Sequence, residues 1–174
     1  MDGARLAYAL ASPENDVTLT DLAELSDIFY IGGTKCGALF GEAVVIPQKG
    51  RIPHSLRSSS SMEHCLPRDG SQESSLVSCL RTGCTCGSAK PAMEAAEQIK
   101  DALKKYGYQL SLDTPTNQIF CIVSNEVMKK IAQDVEFGFW EKYDETHSVI
   151  RFATSWATTM EDTQKLIQIL EKNK

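Results

Sequence analysis

The segment DIFYIGGTKCGALFGEAVVIP, residues 27–47, places a single lysine between two apolar runs. The runs at 28–31 and 42–46 are rich in β-forming residues and a glycine-rich turn separates them, so we predict two short strands. Lys35 lies in that turn among small residues. Burying an ammonium group between apolar strands is costly, and such walls would favour the neutral, nucleophilic amine. Lys35 is therefore either a chemically active lysine or a solvated lysine on an exposed turn.

The composition is that of an ordinary globular protein. The 174 residues, of which 42% are hydrophobic, suffice for one domain or for one domain and a second small one. The net charge of -5 argues against a nucleic-acid or anionic-membrane surface. No apolar run approaches the ~20 residues that a membrane span needs. The beginning, MDGARLAYAL, lacks the cleavage pattern of a signal peptide, so we expect an intracellular, cytoplasmic protein.

Two blocks of the chain have regular patterns, and we predict an α/β fold for the first block, residues 1–50. In it, LTDLAELS repeats apolar residues at helical spacing beside a possible N-cap, Thr18 or Thr20. The second block, residues 91–174, has an α+β pattern, and Pro91 is expected at the start of its first helix. The elements predicted for this block are helices at 91–107, 125–135 and 159–173 and strands at 117–124, 137–143 and 147–154.

Residues 51–90 fit neither block. They are rich in serine and lack a hydrophobic period, so we expect an irregular or disordered linker. The alternative is a zinc site built from His64, Cys65, Cys79, Cys84 and Cys86. Because the spacing between the last two cysteines is tighter than is usual for zinc ligands, we predict no metal site. Cys36 and Cys121 lie in apolar surroundings and are predicted to be small core residues.

Three passages resemble the threonine aldolase and aromatic β-eliminating lyase family of pyridoxal-phosphate (PLP) enzymes. They are DGARLAYALAS (2–12), FYIGGTKCGALFGEAVVI (29–46) and FWEKYDETHSVIRFATSWAT (139–158). Gly-Gly-Thr-Lys alone would be a weak motif, but the long run with its flanks is specific. The resemblance covers 1–50 and roughly 91–174. It implies the α/β fold of fold-type I PLP-dependent transferases, with the C-terminal part of the large domain in the first block and an α+β C-terminal small domain in the second.

The resemblance assigns roles around PLP to four residues of the first block. Lys35 would be the catalytic lysine, because its amine would form the Schiff base with the aldehyde of the cofactor. Asp2 would bind the pyridine nitrogen and keep it protonated; the alternative is a frayed, solvated terminus. Arg5 would lie close to the cofactor or be a surface arginine. Thr34 would hydrogen-bond the phosphate or only the backbone of the turn.

The resemblance also implies a substrate contact in the second block. Arg151 lies in the apolar strand SVIRFAT, where an unpaired charge is costly, and its guanidinium fork matches a carboxylate. By resemblance it would hold the α-carboxylate of an amino-acid substrate and so select the Cα bond that breaks. His147 lies nearby, and for this residue we favour a turn cap over assistance in proton transfer.

The implied activity is that of a PLP-dependent lyase resembling threonine aldolase, which cleaves the Cα–Cβ bond of a β-hydroxy-α-amino acid to glycine and an aldehyde. β-Elimination from an amino acid needs the same three residues, Lys35, Asp2 and Arg151, and stays open. An inactive fragment of such an enzyme also stays open, as does a small interaction module formed by 91–174. Family members are expected to be homo-oligomers (dimers or tetramers), with no nucleic-acid or membrane partner.

The family's large domain begins well before the Asp2 position, so we expect this chain to start inside the fold and to lack the phosphate loop. The segment 51–90 suggests a second difference. Codons can be chosen for residues 58–85 and then reread in the frame that starts at the third base of each codon. One such choice encodes a passage that is similar to the passage of the family at this point. We therefore hypothesise two compensating frameshifts, with a native linker as the alternative. The nucleotide sequence of the gene decides between them.

Overall fold

The computed structural model describes residues 1–38, 42–48 and 84–174. The zinc alternative and the frameshift hypothesis concern residues outside these ranges, apart from the backbone of residues 84–86. No helix in the three described stretches is long and apolar enough to span a membrane.

Contacts between residues divide the chain into two compact units. The first unit contains Met1–Leu10 and the described part of Asn15–Gly87, and the second contains Ala11–Glu14 and Ser88–Lys174. Each unit has its own sheet, and the described residues form two strands in the first unit and four in the second.

In its described residues, the first unit contains two short helices and a strand pair. Its elements are helices α1 (Leu6–Leu10) and α2 (Leu19–Leu25), strands β1 (Phe29–Gly32) and β2 (Glu42–Val45), and a 3₁₀ helix, Thr34–Cys36, between the strands. The strands pair antiparallel, and this confirms the prediction from the two apolar runs. Helix α2 is also confirmed, and its N-cap is Thr18, which forms a capping box with Asp21.

Residues 1–3 run alongside β1. The terminal amine of Met1 donates to the Ile28 carbonyl at 2.9 Å. The Tyr30 N–H donates to the Met1 carbonyl at 3.4 Å, and the Gly32 N–H donates to the Gly3 carbonyl at 2.9 Å. Slanted bonds of this kind, two residues apart, are the pattern of neighbouring parallel strands. The first residues of the chain are therefore anchored to β1.

Two glycines make this close approach possible. A Cβ on Gly3 would lie 1.8 Å from the Tyr30 carbonyl oxygen, and a Cβ on Gly32 would lie 2.7 Å from the Ala4 carbonyl oxygen. Both distances are shorter than any van der Waals contact, and the opposing atoms belong to the backbone. Only glycine fits at either position without moving one segment away from the other.

The second unit consists of a four-stranded antiparallel sheet and three helices. The strands are β3 (Gln109–Leu112), β4 (Gln118–Ser124), β5 (Gly138–Lys142) and β6 (His147–Ala153), and the helices are α3 (Cys84–Lys105), α4 (Asn125–Ile131) and α5 (Met160–Lys172). The strand order is β3-β4-β6-β5. Ser124 is the N-cap of α4, and Thr159 forms a capping box at the start of α5.

One face of this sheet carries the hydrophobic core. Side chains alternate between the two faces of a strand, so every second residue of β4 and β6 reaches the core. The buried core residues are Ile119, Cys121 and Val123 of β4, Ile150 and Phe152 of β6, Ala96, Ile99 and Leu103 of α3, Ile131 of α4 and Leu170 of α5. The burial of Cys121, and that of Cys36 in the first unit, confirms both as core residues. Burial raises the pKa of the Cys121 thiol to about 12.

The start of α3 differs from the prediction. The helix begins at Cys84, so Pro91 lies inside it and not at its first residue. A proline inside a helix removes one backbone hydrogen bond and normally ends or kinks the helix. Here Ala89 and Ala92 on either side are completely buried, whereas Pro91 itself is exposed. Packing of the flanking residues offsets the local preference, and tertiary contacts supply most of the stability of helices in proteins.

Strand β3 and helix α1 were not predicted. Residues 108–112, YQLSL, alternate apolar and polar side chains, which is a strand pattern that the prediction overlooked. The strand is short, lies at the edge of the sheet and has three of its four residues exposed. Helix α1 has only five residues, which is too short for a helical period to be recognised.

A buried hydroxyl links the sheet to α3. The Thr154 hydroxyl donates to the Ala92 carbonyl at 2.6 Å, and the Asn117 side-chain amide donates to the Thr154 carbonyl at 2.6 Å. Thr154 and Asn117 are both only 3% exposed. Because buried polar groups are costly when they are unpaired, these bonds specify how the end of β6 meets the helix.

Replacing Thr154 by valine should therefore destabilise the second unit. The Thr154→Val variant keeps the shape of the side chain but loses the donor, so we expect the free energy of unfolding to fall by about 1 kcal/mol. Urea unfolding followed by tryptophan fluorescence measures this, because Trp140 and Trp156, the two tryptophans, both lie in the second unit. The control is Ser111→Ala, which removes an exposed hydroxyl of β3. Equal midpoints for the two variants would contradict the prediction.

Candidate functional site

Lys35 lies in the 3₁₀ helix that follows β1. The Tyr8 hydroxyl donates to the Lys35 carbonyl at 2.8 Å, and Tyr8 is only 1% exposed. The 3₁₀ helix ends at Gly37, which has the left-handed conformation with φ of 97°. The backbone of Lys35 is thus held from both sides.

The side chain of Lys35 is exposed, whereas its neighbour Cys36 is 1% exposed. This corrects the expectation that apolar walls enclose the lysine. In a 3₁₀ helix successive side chains point about 120° apart, because the helix has 3.0 residues per turn. The turn therefore buries Cys36 and leaves the amine of Lys35 accessible.

Asp2 is held by two donors on one carboxylate oxygen. Asp2 Oδ1 accepts the Ala4 N–H at 2.9 Å and the Tyr30 hydroxyl. The Tyr30 hydrogen bond, followed by the bond from Ala4, lowers the pKa of Asp2 below its ordinary value, and the charge of Lys35 contributes in the same direction. The same hydrogen bond raises the pKa of Tyr30. Asp2 is consequently an exposed carboxylate that stays ionised close to the lysine.

Arg5 and Thr34 border this pair. Arg5 is half-buried just before α1, and Thr34 is exposed at the start of the 3₁₀ helix. Within the described residues, neither shares a hydrogen bond with Asp2 or with the amine of Lys35. The structure therefore leaves both alternatives stated for each of these residues open.

Arg151 lies on β6 of the second unit, on the face of the sheet opposite the core. Arg151 Nη1 donates to Gln118 Oε1 at 3.3 Å, and its guanidinium carbon lies 5.6 Å from the centre of the Trp140 ring. The Trp140 ring meets Phe120 edge to face, with centroids 5.0 Å apart. A Cβ on Gly138 would lie 3.3 Å from Arg151 Nε, so the small residue leaves room for the guanidinium. Among the described residues Gln118 is the acceptor of the guanidinium, which leaves most of its five N–H donors to a carboxylate.

A cavity of about 620 Å³ in the second unit reaches Arg151. Phe137, Phe152 and Leu166 contribute apolar wall, and Asp162 and Lys165 contribute charge at its border. The apolar wall belongs to the core side of the sheet, whereas the guanidinium of Arg151 packs against Trp140 on the opposite face, so the two are separate features of this unit.

His147 is the first residue of β6 and follows the turn from β5. Its ring Nδ1 is 3.1 Å from Asp144 Oδ2 and 2.9 Å from the Thr146 hydroxyl, and its backbone N–H donates to Asp144 Oδ1 at 2.7 Å. These bonds tie His147 to the residues of the preceding turn.

The structure brings the predicted residues together in two groups. Asp2 and Lys35 interact in the first unit, whereas Arg151 and His147 belong to the second unit. Sequence reasoning missed Tyr30, Gln118 and Trp140, which contact Asp2 or Arg151. The register of the strands would have identified Gln118 and Trp140, because β4, β5 and β6 are neighbours in the sheet. No sequence signal marks Tyr30 as the partner of Asp2.

The turn at Asp144 should make the second unit sensitive to acid. Hydrogen bonds, of which that from the Thr146 N–H is the strongest, lower the pKa of Asp144 from 3.8 to about 2. Since the folded pKa lies below the unfolded one, Asp144 contributes stability that is present above about pH 4 and is lost as the pH falls toward 2. We expect Asp144→Asn to be less stable than the native chain at neutral pH and to lose this part of the pH dependence.

Urea unfolding followed by tryptophan fluorescence at several pH values between about 2 and 7 measures this effect. Glu145→Gln is the matched control, because it removes the exposed carboxylate next in sequence. If both variants keep the pH profile of the native chain, the ionised Asp144 does not stabilise the turn.

Comparisons with known proteins identify relatives of this fold. No protein-family model matches the chain, and no curated protein sequence matches it. Among solved structures, a threonine aldolase from Leishmania major is 29% identical with a TM-score of 0.93. The match covers 98% of this chain and 50% of that chain.

Serine palmitoyltransferases are more distant structural neighbours. The enzyme from Sphingomonas wittichii is 12% identical with a TM-score of 0.68, and the match covers 99% of this chain and 46% of that chain. A variant enzyme from S. paucimobilis, solved with PLP and myriocin, is 12% identical with a TM-score of 0.65 and the same coverage. At this identity the likeness shows the fold alone.

The chain spans about half the length of the solved proteins that it matches. The predicted α/β fold and the predicted resemblance are therefore confirmed: this chain has the fold of the fold-type I PLP-dependent enzymes and resembles a threonine aldolase.

Proposed function

We propose that this chain is the lysine-bearing part of a PLP-dependent lyase that cleaves the Cα–Cβ bond of a β-hydroxy-α-amino acid to glycine and an aldehyde. The observation that carries the proposal is the match to the Leishmania major threonine aldolase over 98% of this chain at 29% identity. The partner of the site is a small amino-acid substrate. Assembly into a homo-oligomer is part of the proposal, and it rests on the family resemblance alone.

The residues of the first unit fit PLP. The cofactor has a basic pyridine nitrogen and an aldehyde, and these groups require a carboxylate and an amine. Asp2 supplies an ionised carboxylate, and Lys35 supplies an accessible amine on a fixed backbone. Asp2 would hold the pyridine nitrogen, Lys35 would bond to the aldehyde carbon, and Arg5 and Thr34 would lie beside the cofactor. When bound, PLP accepts the electron pair of the substrate bond that breaks.

Arg151 would bind the α-carboxylate of the substrate. A guanidinium fork binds a carboxylate in bidentate fashion, and such a pair fixes orientation as well as position. Gln118 accepts from one side of the guanidinium and Trp140 lies under it, so its orientation is limited before a substrate arrives. Holding the carboxylate determines which bond to Cα is aligned for cleavage. We assign no proton transfer to His147, because its bonds to Asp144 and Thr146 are those of a turn.

β-Elimination is the alternative reaction, because it needs the same three residues. Product analysis distinguishes the two reactions, since aldol cleavage releases glycine and an aldehyde whereas elimination releases ammonia and a keto acid. A third possibility follows from the length of the chain. Because it spans half the length of the enzyme that it matches, it could bind the cofactor without turning over substrate. Cofactor trapping and product analysis together separate these three cases.

Lys35 should be the residue that captures PLP. We expect borohydride reduction of the chain mixed with PLP, followed by peptide mass mapping, to give one dominant adduct on Lys35. The Lys35→Arg variant keeps the charge but cannot form this bond, so the adduct should disappear. Lys129→Arg is the control, because it changes an exposed lysine of α4 in the other unit. Label that is absent, or that is spread over surface lysines in all three proteins, would contradict the proposed site.

Arg151 should set the affinity for the amino-acid carboxylate. A charge-assisted pair contributes about 1.5–3 kcal/mol, so Arg151→Ala should weaken binding of threonine by roughly 10- to 100-fold. Arg151→Lys should recover only part of this loss, since a lysine lacks the fork. Ligand-detected NMR or calorimetry measures the affinity with or without turnover. Lys165→Ala removes another cation at the border of the same cavity, and a loss of the same size in that variant would argue against a specific role for Arg151.

A further inference from the structure

The two oxygens of the Asp2 carboxylate have different hydrogen-bond partners. Asp2 Oδ1 accepts both the Tyr30 hydroxyl and the Ala4 N–H. No residue in the described part of the chain donates a hydrogen bond to Asp2 Oδ2. One oxygen is thus bound to the protein on two sides, and the other is presented to the surroundings.

The backbone fixes Tyr30 and Asp2 relative to one another. The Tyr30 N–H donates to the carbonyl of Met1 at 3.4 Å, on one side of Asp2. On the other side, the Gly3 carbonyl accepts the Gly32 N–H at 2.9 Å. Both side chains of the pair therefore start from neighbouring positions of one ladder, and the phenol reaches the carboxylate without a flexible linker between them.

We propose that Tyr30 is a positioning residue, whose hydroxyl orients the Asp2 carboxylate so that Oδ2 faces the proton of the cofactor's pyridine nitrogen. The inference rests on the proposed function, because it assumes that Asp2 receives the pyridine ring. An exposed carboxylate that is bonded on one oxygen loses most of its rotational freedom. The entropy of ordering the acceptor is then already lost before the cofactor binds, which strengthens the later hydrogen bond.

Other charges near the pair do not provide the same orientation. Lys35 and the terminal amine act on Asp2, and Glu42 acts on Tyr30. Each of these acts through its charge at a distance and does not select one carboxylate oxygen. The hydrogen bond from the Tyr30 hydroxyl makes the largest contribution to the lowered pKa of Asp2. Unlike those charges, it is directed at one oxygen, Oδ1.

The first experiment tests the hydrogen bond without the cofactor. The side-chain carboxyl of Asp2 is followed by carbon NMR during a pH titration of the native chain, of Tyr30→Phe and of Tyr143→Phe. Tyr143 is an exposed tyrosine of the second unit and serves as the matched control. We expect the pKa of Asp2 to rise toward its ordinary value in Tyr30→Phe and to stay unchanged in the control. An unchanged pKa in Tyr30→Phe would overturn the proposal.

The second experiment tests whether the hydrogen bond from Tyr30 to Asp2 strengthens binding of the pyridine nitrogen of PLP. The affinity of each protein is measured for PLP and for its deaza analogue, in which a carbon replaces the pyridine nitrogen. We expect Tyr30→Phe to weaken PLP binding by about fivefold and to leave binding of the deaza analogue nearly unchanged. Equal losses for the two ligands would mean that Tyr30 only supports the local structure, and this result would overturn the positioning role.

Failure of the proposed function gives a different result. If the native chain forms no adduct on Lys35 after borohydride reduction, the chain does not hold PLP there and both proposals fall. If the Lys35 adduct forms in the native chain and in Tyr30→Phe with equal PLP affinity, the proposed function stands and the role of Tyr30 is excluded.

Discussion

The close approach of two backbones at Gly3 and Gly32 is the constraint on which the candidate site depends. Each glycine faces a carbonyl oxygen of the other segment at a distance that no side chain tolerates. Because both positions lack a Cβ, the first residues of the chain can lie along β1 and form the ladder that holds Asp2. The same contact brings Asp2 next to Tyr30 and within range of the charge of Lys35. The chemistry of the site is therefore a consequence of main-chain packing.

The two faces of the sheet in the second unit perform different tasks. Ile150 and Phe152 reach the hydrophobic core, while Arg151 between them lies on the opposite face beside Trp140. Alternation along one strand thus places core residues and the proposed substrate contact on opposite faces of the sheet. The cost of placing a guanidinium in an otherwise apolar strand is offset by the Gln118 acceptor and by the face of the tryptophan.

Local signals predicted much of the fold. The apolar runs around the glycines predicted β1 and β2, and the threonine cap with helical spacing predicted α2, because these elements are specified by neighbours in sequence. Local rules were wrong where packing outweighs them. Pro91 lies inside α3, where completely buried alanines hold the helix on both sides. The edge strand β3 does alternate polar and apolar residues, but it has only four residues, and its pattern was overlooked.

The sequence by itself predicted the resemblance to threonine aldolase and nominated a lysine, an aspartate and an arginine as candidate site residues, because their flanks are recognisable without coordinates. It did not determine their surroundings. The exposure of Lys35 follows from the geometry of a 3₁₀ turn, in which the next side chain is buried instead. The pairing of Tyr30 with Asp2 joins residues 28 positions apart, and only the ladder between the two segments brings them together. Tertiary structure decided these points because hydrogen bonds between distant residues depend on backbone register, which composition and spacing do not encode.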